Sequence, residues 1–323
     1  MKCMTLKCKI IMGVTIFCSI VIIALFLIAN FMVSFALDND NAKGFMMDSV
    51  SEPLTDVETW FFNSSEKYSL KSSDDLTLLG HYLPNEKKTN NYVLLVHGYK
   101  SGVRVMAPFA RDYLEKGWNV LAPEHRAQGN SEGRYIGMGV LEQYDMRLWI
   151  DWILKRDPNA TIVLHGLSMG AATVMLMSAH EDLPVNVKAI IEDCGYSSVN
   201  KQFTDQLKSL FGLPAFPFLN FGSLVSKIRA GYFFEEGNAL EAVKKAKVPL
   251  LFIHGEEDTF VPFAMVHEVF EAASCEKYLL TVPGAPHAQS VVVDNKGYWL
   301  AIENFLNKYI DNNGFEKISK IMQ

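Results

Sequence analysis

Three residues able to carry out acyl transfer appear in this 323-residue chain in the order serine, aspartate, histidine. Ser168 stands in Gly166-Leu167-Ser168-Met169-Gly170, after the β-branched and aliphatic run 161–164 and before Ala171-Ala172. A G-x-S-x-G motif joining a buried strand to a helix is a nucleophile elbow, a turn so sharp that the serine backbone is strained. Gly166 and Gly170 leave out the Cβ atoms that would strike the neighbouring strand and helix. The hydroxyl is then held clear of the sheet, at the positive end of the following helix. Further along, the apolar run 251–253 ends in His254-Gly255-Glu256-Glu257-Asp258. The run 277–282 ends in Pro283-Gly284-Ala285-Pro286-His287. Both loops lie beyond the carboxyl ends of strands, where open α/β sheets gather their ligand sites.

The chemistry assigns a task to each. A serine hydroxyl is a poor nucleophile at neutral pH, so His287 must take its proton as the new bond forms and return it to the leaving group. A carboxylate must hold the imidazole in the right tautomer, and Asp258 has Glu256 and Glu257 beside it as rivals. Two backbone N–H groups must receive the developing oxyanion. One is that of Met169, directly after the nucleophile. The other is that of Tyr99, in the loop His97-Gly98-Tyr99 after the apolar run 92–96. The remaining histidines read as structural. His165 and His254 end strands, His97 orders the oxyanion loop, and His81, His180 and His267 are surface or packing residues. His125 lies in a loop tied together through Arg126 and Ser131. No cysteine–histidine spacing suggests a metal, and neither metal nor cofactor is expected.

The elements that must position these residues alternate. A hairpin of two strand-like runs, 68–70 and 76–83, surrounds the turn cluster 72–75. Strands are expected over 92–96, 119–122, 161–164, 187–192, 248–254 and 277–282. Helices are expected over 106–114, 140–155, 266–273 and 298–310, besides the elbow helix. In the helix over 140–155 the apolar side is read as Leu141, Tyr144, Leu148, Trp149 and Trp152. Alternation of this kind means an α/β fold, a mainly parallel sheet covered on both faces, here with an antiparallel edge. Between 195 and 247 the alternation breaks. The insert is rich in aromatics, among them Phe203, Phe211, Phe216, Phe218, Phe221, Tyr232, Phe233 and Phe234. Such an insert over the sheet's carboxyl edge suits a cap lining an apolar pocket, with most rings packing the insert onto the domain.

Residues 10–37 carry no charge over 28 positions, more than the roughly 20 apolar residues a spanning helix needs. Lys2, Lys7 and Lys9 precede them and Asp38 and Asp40 follow, which puts the N-terminus in the cytoplasm and the rest outside. A cleaved signal peptide is the rival, with Ser34-Phe35-Ala36 as its cleavage site. Its apolar core is normally about 7–15 residues, so an uncleaved anchor is expected. Cys3, Cys8 and Cys18 lie in or beside this segment, leaving Cys194 and Cys275 as buried free thiols. A net charge of −6 and the lack of a basic stripe argue against nucleic acid.

The chain resembles the α/β-hydrolase superfamily, nearest to membrane-anchored bacterial hydrolases of the serine aminopeptidase/esterase-like group. The matching pieces are HGY at His97, RAQGNSEG from Arg126, GLSMG from Gly166, EDCGYSS from Glu192, HGEEDTFVP from His254 and GAPHAQS from Gly284. They span about residues 68–310. The pattern His-Gly-x-x-Asp-x-x-Val-Pro selects Asp258 as the acid, with Glu257 as fallback. Glu124-His125 departs from the family, in a loop outside the triad. The resemblance implies an α/β-hydrolase domain over 67–310, with a cap insert at 196–247. Before it come a cytoplasmic N-terminus (1–9), the anchor (10–37) and a stalk (38–66); a tail (311–323) follows. The resemblance does not select a substrate; the leading reading is a serine hydrolase acting on carboxylic esters, of short or medium rather than long acyl chains, with a small-molecule acyl substrate. A peptidase or amidase is the alternative, and a non-catalytic binding protein on the same fold is a third.

Overall fold

The computed structural model describes residues 5–39 and 53–310. Lys2, Cys3, residues 40–52 of the expected stalk (Asp40 among them) and the tail 311–323 lie outside the described residues. In chain order come helix α1 (Leu6–Leu37), α2 (Asp56–Ser64), strands β1 (Glu66–Lys71), β2 (Thr77–Leu83) and β3 (Asn91–Val96), α3 (Ala107–Glu115), β4 (Asn119–Pro123) and α4 (Glu142–Arg156). Then follow β5 (Thr161–Leu167), α5 (Met169–Met177), β6 (Val187–Asp193), α6 (Val199–Phe211), α7 (Phe218–Ala230), α8 (Ala239–Val243) and β7 (Leu250–Gly255). The last are α9 (Ala264–Ala272), β8 (Lys277–Val282), α10 (Ser290–Val293) and α11 (Asn295–Leu306).

The eight strands form one sheet in the order β1-β2-β4-β3-β5-β6-β7-β8. The β1–β2 and β2–β4 pairs are antiparallel and all others parallel. β3, β4, β5 and β7 are buried almost throughout because both faces are covered. One face packs Phe61, Tyr113, Trp118, Tyr298 and Phe305 from α2, α3, α11 and the α3–β4 turn. The other packs Met146, Trp149, Ile150 and Ile153 of α4 with residues of α5, α8 and α9.

α4 follows the sequence reading only in part: Trp149 is buried and Trp152 packs on the same core, but Tyr144 does not. Its core-facing side is Glu142, Asp145, Met146, Trp149, Ile150 and Ile153, while Tyr144 is exposed and stacks on His180. Two carboxylates face inward because each has a structural partner. Glu142 accepts from the Gly137 and Gly139 N–H groups, and Asp145 accepts from Arg126. Buried carboxylates so paired rotate the apolar stripe away from where hydrophobicity alone would put it.

α2 opens with a capping box, Thr55 and Glu58 satisfying each other's end of the helix, and it buries Phe61. α1 is one continuous helix, long and apolar enough to cross a membrane, and its most apolar 18-residue window is wholly exposed. Its last turns differ. Ala29, Val33, Leu37 and Asp38 are buried against the insert, and Asp38 bridges to Tyr135. Cys194 and Cys275 are free thiols, but only Cys194 is buried as expected; Cys275 is partly exposed.

Candidate active site

The elbow is built by exclusion of atoms. Ser168 has φ 56° and ψ −114°, a left-handed conformation that a side chain adopts only under strain. A Cβ on Gly166 would lie 2.2 Å from the Gly170 carbonyl oxygen. One on Gly170 would lie 1.9 Å from the Val96 carbonyl oxygen. Both glycines are therefore required for β5, α5 and the end of β3 to approach. The Ser168 N–H donates to the Asp193 carbonyl at 2.8 Å, which ties the turn to β6.

Three loops at the sheet's carboxyl edge bring the side chains together. His287 Nε2 is 2.9 Å from Ser168 Oγ, and His287 Nδ1 is 2.7 Å from Asp258 Oδ2. Asp258 Oδ1 accepts from the Phe260 and Val261 N–H groups, each at 2.9 Å. Asp258 Oδ2 also lies 3.2 Å from His254 Nε2, whose ring bonds the Val261 carbonyl. Burial opposes the charge on Asp258, but the hydrogen bonds from His254 and His287 outweigh it and hold the carboxyl down to about 2. Glu257 is exposed and reaches neither histidine, and Glu256 accepts from Thr281. The Phe260 ring packs against the His287 ring at 4.9 Å.

Met169 is the first residue of α5, so its N–H has no acceptor within the helix. Tyr99 lies across from it, beside Ser168 at the wall of two cavities. The Tyr99 phenol reaches away and donates to the Ala36 carbonyl at the end of α1. Cys194 Sγ, an Asp258 oxygen and a His287 nitrogen lie within 4.8 Å of one another. Burial pushes the Cys194 thiol well above its ordinary range, and both His287 nitrogens are already engaged, which is a poor donor set for a metal ion.

The other histidines hold the frame. His165 is buried between the hydroxyls of Tyr113 and Tyr298. His97 accepts from the His125 N–H. His81 is buried rather than superficial and pairs with Glu124 at 2.8 Å, so the unusual glutamate closes a polar knot. Arg126 links Asp74 to Asp145, and Ser131 bonds Glu124 and Leu79.

Sequence reasoning missed one set of site residues. Met32, Val33, Phe35, Ala36 and Leu37 of α1 line the apolar cavity beside Ser168. The available signal was length, since an uncharged run of 28 residues exceeds what a bilayer requires. The rings between residues 195 and 247 divide three ways. Phe203, Phe211, Phe218 and Phe234 line that cavity, while Tyr232 is buried and Phe216 is exposed.

Comparison with known proteins agrees with this architecture. Residues 87–214 match the model of the serine aminopeptidase S33 family. The uncharacterized protein YqkD of Bacillus subtilis is 29% identical over 235 residues, 72% of this chain and 75% of its own length. Protein bem46 of Schizosaccharomyces pombe is 24% identical over 249 residues, 75% of this chain and 76% of its own. The esterase Pf2001 of Pyrococcus furiosus superposes with a TM-score of 0.62 at 24% identity, covering 80% of this chain and 96% of that one. The acylaminoacyl peptidase of Pyrococcus horikoshii superposes with a TM-score of 0.60 at 20% identity, covering 83% of this chain and 46% of that one.

Proposed function

We propose that this chain, which has the fold of the α/β hydrolases it superposes on, is a serine hydrolase cleaving carboxylic esters through an acyl-enzyme, with Ser168, His287 and Asp258 as its triad. The observation that carries the proposal is the unbroken relay from Ser168 Oγ through His287 to Asp258, at 2.9 and 2.7 Å. Ser168 Oγ attacks the ester carbonyl carbon while His287 Nε2 takes its proton. The carbonyl oxygen becomes an oxyanion received by the Tyr99 and Met169 N–H groups, each such donor worth roughly 10²–10³ in rate. The ester C–O bond then breaks, His287 protonates the departing alkoxide, and the acyl group remains on Ser168. Water, deprotonated by His287, attacks the acyl-enzyme, releasing the carboxylic acid and restoring the serine. Asp258, ionised far below neutral pH, keeps the His287 Nδ1 proton in place throughout.

An ester is favoured because one of the two cavities at Ser168 is lined almost wholly by apolar side chains, which suits an acyl chain. A peptidase remains the second reading on one observation. Asp112, half-buried on the wall of the other cavity, could receive a substrate ammonium. Turnover of matched acyl esters and aminoacyl amides by the full chain separates them. The ester reading expects kcat/KM for esters to exceed that for amides by more than the gap in their intrinsic reactivity, and amide preference overturns it.

The same proposal holds the enzyme to a membrane through α1 with the domain outside. Seating Lys7 and Lys9 on the cytoplasmic side avoids moving them across the bilayer. The docking of Leu37 and Asp38 onto the domain supports retention of α1 rather than cleavage. Protease added to intact cells should digest the domain while a cytoplasmic marker survives. Full protection, or a mature N-terminus at Leu37, contradicts this arrangement.

A further inference from the structure

Ser168 stands between two cavities that share Tyr99 and Phe260. The larger, about 640 Å³, has mixed walls in which Arg111, Asp112 and Asn295 stand among apolar residues. The smaller, about 100 Å³, is apolar, and one of its walls is the end of α1. That wall is fixed in place. Asp38, fully buried, pairs with Arg134 at 3.0 Å and Arg229 at 3.1 Å. Arg229 also donates to Ser34 Oγ and to Asn30 Oδ1, at 2.6 and 2.8 Å.

Helix length sets the depth of this assembly. At 1.5 Å per residue, 32 residues extend about 48 Å, against about 30 Å of hydrocarbon. If Lys7 and Lys9 stay at the inner surface, the hydrocarbon is filled by about residues 10–29. The docked turns from Asn30 to Asp38 then fall in the outer interface. The insert meets α1 at this level through Phe35 on Phe211 at 6.0 Å, and at the outer edge of the hydrocarbon through Phe26 on Phe221 at 5.1 Å. Beside these contacts the insert exposes Leu210, Phe211, Phe216 and Ile228, with Phe216 76% and Ile228 70% exposed. Such a patch is costly in water and favourable against lipid. Leu210 and Phe211 are at once part of this patch and part of the cavity wall, so the cavity's mouth lies where lipid would be.

We propose that the apolar cavity receives the acyl chain of a membrane lipid ester, entering sideways from the outer leaflet between α1 and α6. The anchor helix is then also the acyl-selecting wall of the site. This rests on the serine-hydrolase reading above. A cavity of about 100 Å³ is smaller than the roughly 150 Å³ that holds a benzene molecule. It encloses only the carbons nearest the carbonyl, and the rest of the chain runs out past Phe35 and Phe211 into the bilayer. The larger cavity, which carries Arg111, Asp112 and Asn295, takes the alcohol or headgroup side.

The test uses the full chain reconstituted in phosphatidylcholine vesicles, with p-nitrophenyl acetate, p-nitrophenyl decanoate and diacylglycerol as probes. The unaltered protein should prefer decanoate to acetate by tenfold or more in kcat/KM, and should release fatty acid from diacylglycerol in its own bilayer. Ala36→Phe and, one turn earlier, Met32→Trp narrow the cavity. Each should lower the decanoate-to-acetate ratio at least tenfold. Acetate turnover with no decanoate preference and no release from diacylglycerol overturns the lipid proposal while leaving the serine hydrolase standing. A ratio unmoved by both substitutions overturns the role of α1. Absence of turnover on every ester, with no covalent labelling of Ser168, overturns the underlying hydrolase reading instead.

Discussion

Asp258→Asn tests the relay at the point where the geometry is most constrained. The replacement is nearly isosteric, and the amide has two orientations. With its oxygen where Oδ1 stands, it still accepts from the Phe260 and Val261 N–H groups, both at 2.9 Å. Its NH2 then faces His287 Nδ1, 2.7 Å away. The flipped amide would aim two N–H donors at the NH2 group, leaving buried donors unpaired at about 1–3 kcal/mol each. The first orientation therefore holds. An NH2 donating to Nδ1 forces the His287 proton onto Nε2, and that nitrogen can no longer accept from Ser168 Oγ. The expected loss in kcat is about 10⁴-fold, or about 5 kcal/mol of transition-state stabilisation. The fold should persist, because both backbone bonds to residue 258 survive. Steady-state kinetics on a chromogenic ester, with a thermal melt as control, measures it. A kcat within tenfold of the parent, in a protein that melts normally, would refute the reasoning. If Glu257→Gln then lost activity, the acid would be Glu257.

Three other outcomes follow from burial and backbone geometry. Burial pushes the Glu192 carboxyl up to about 8, although it accepts from the Gly195 N–H at 2.9 Å. A raised carboxyl stabilises the fold while protonated, and that contribution is lost as pH rises from about 4.5 through 8. Glu192→Gln keeps the acceptor without the titration, so its Tm advantage over the parent should grow between pH 5 and pH 8, and parallel curves would refute this. Gly170→Ala should abolish soluble folding or cost more than about 4 kcal/mol, given a Cβ 1.9 Å from the Val96 oxygen. Gly117→Ala has open space and only its φ of 86° to strain it, so it should cost about 1–2 kcal/mol in chemical denaturation.

Much of this was legible in the sequence for local reasons. Short apolar runs bounded by turn residues, such as Tyr92-Val93-Leu94-Leu95-Val96, read as buried strands by their length and setting. Gly166 and Gly170 announced a turn whose crowding admits no side chain. Nonlocal pairing hid the rest. Glu142 and Asp145 look like surface residues until the 137–139 loop and Arg126 are folded over them. The last turns of α1 look like any lipid-facing segment, since apolar residues carry no mark of whether lipid or protein covers them. Only Asn30, Ser34 and Asp38, answered by Arg229 from 191 to 199 residues away in sequence, distinguish the docked end.

The central claim, that Ser168 is the activated nucleophile, is tested most directly by covalent capture. A fluorophosphonate incubated with the full chain should add one phosphonyl group, located by peptide mapping on Ser168, and Ser168→Ala should remain unmodified. Equal modification of Ser168→Ala, or no modification of a folded parent, would contradict it.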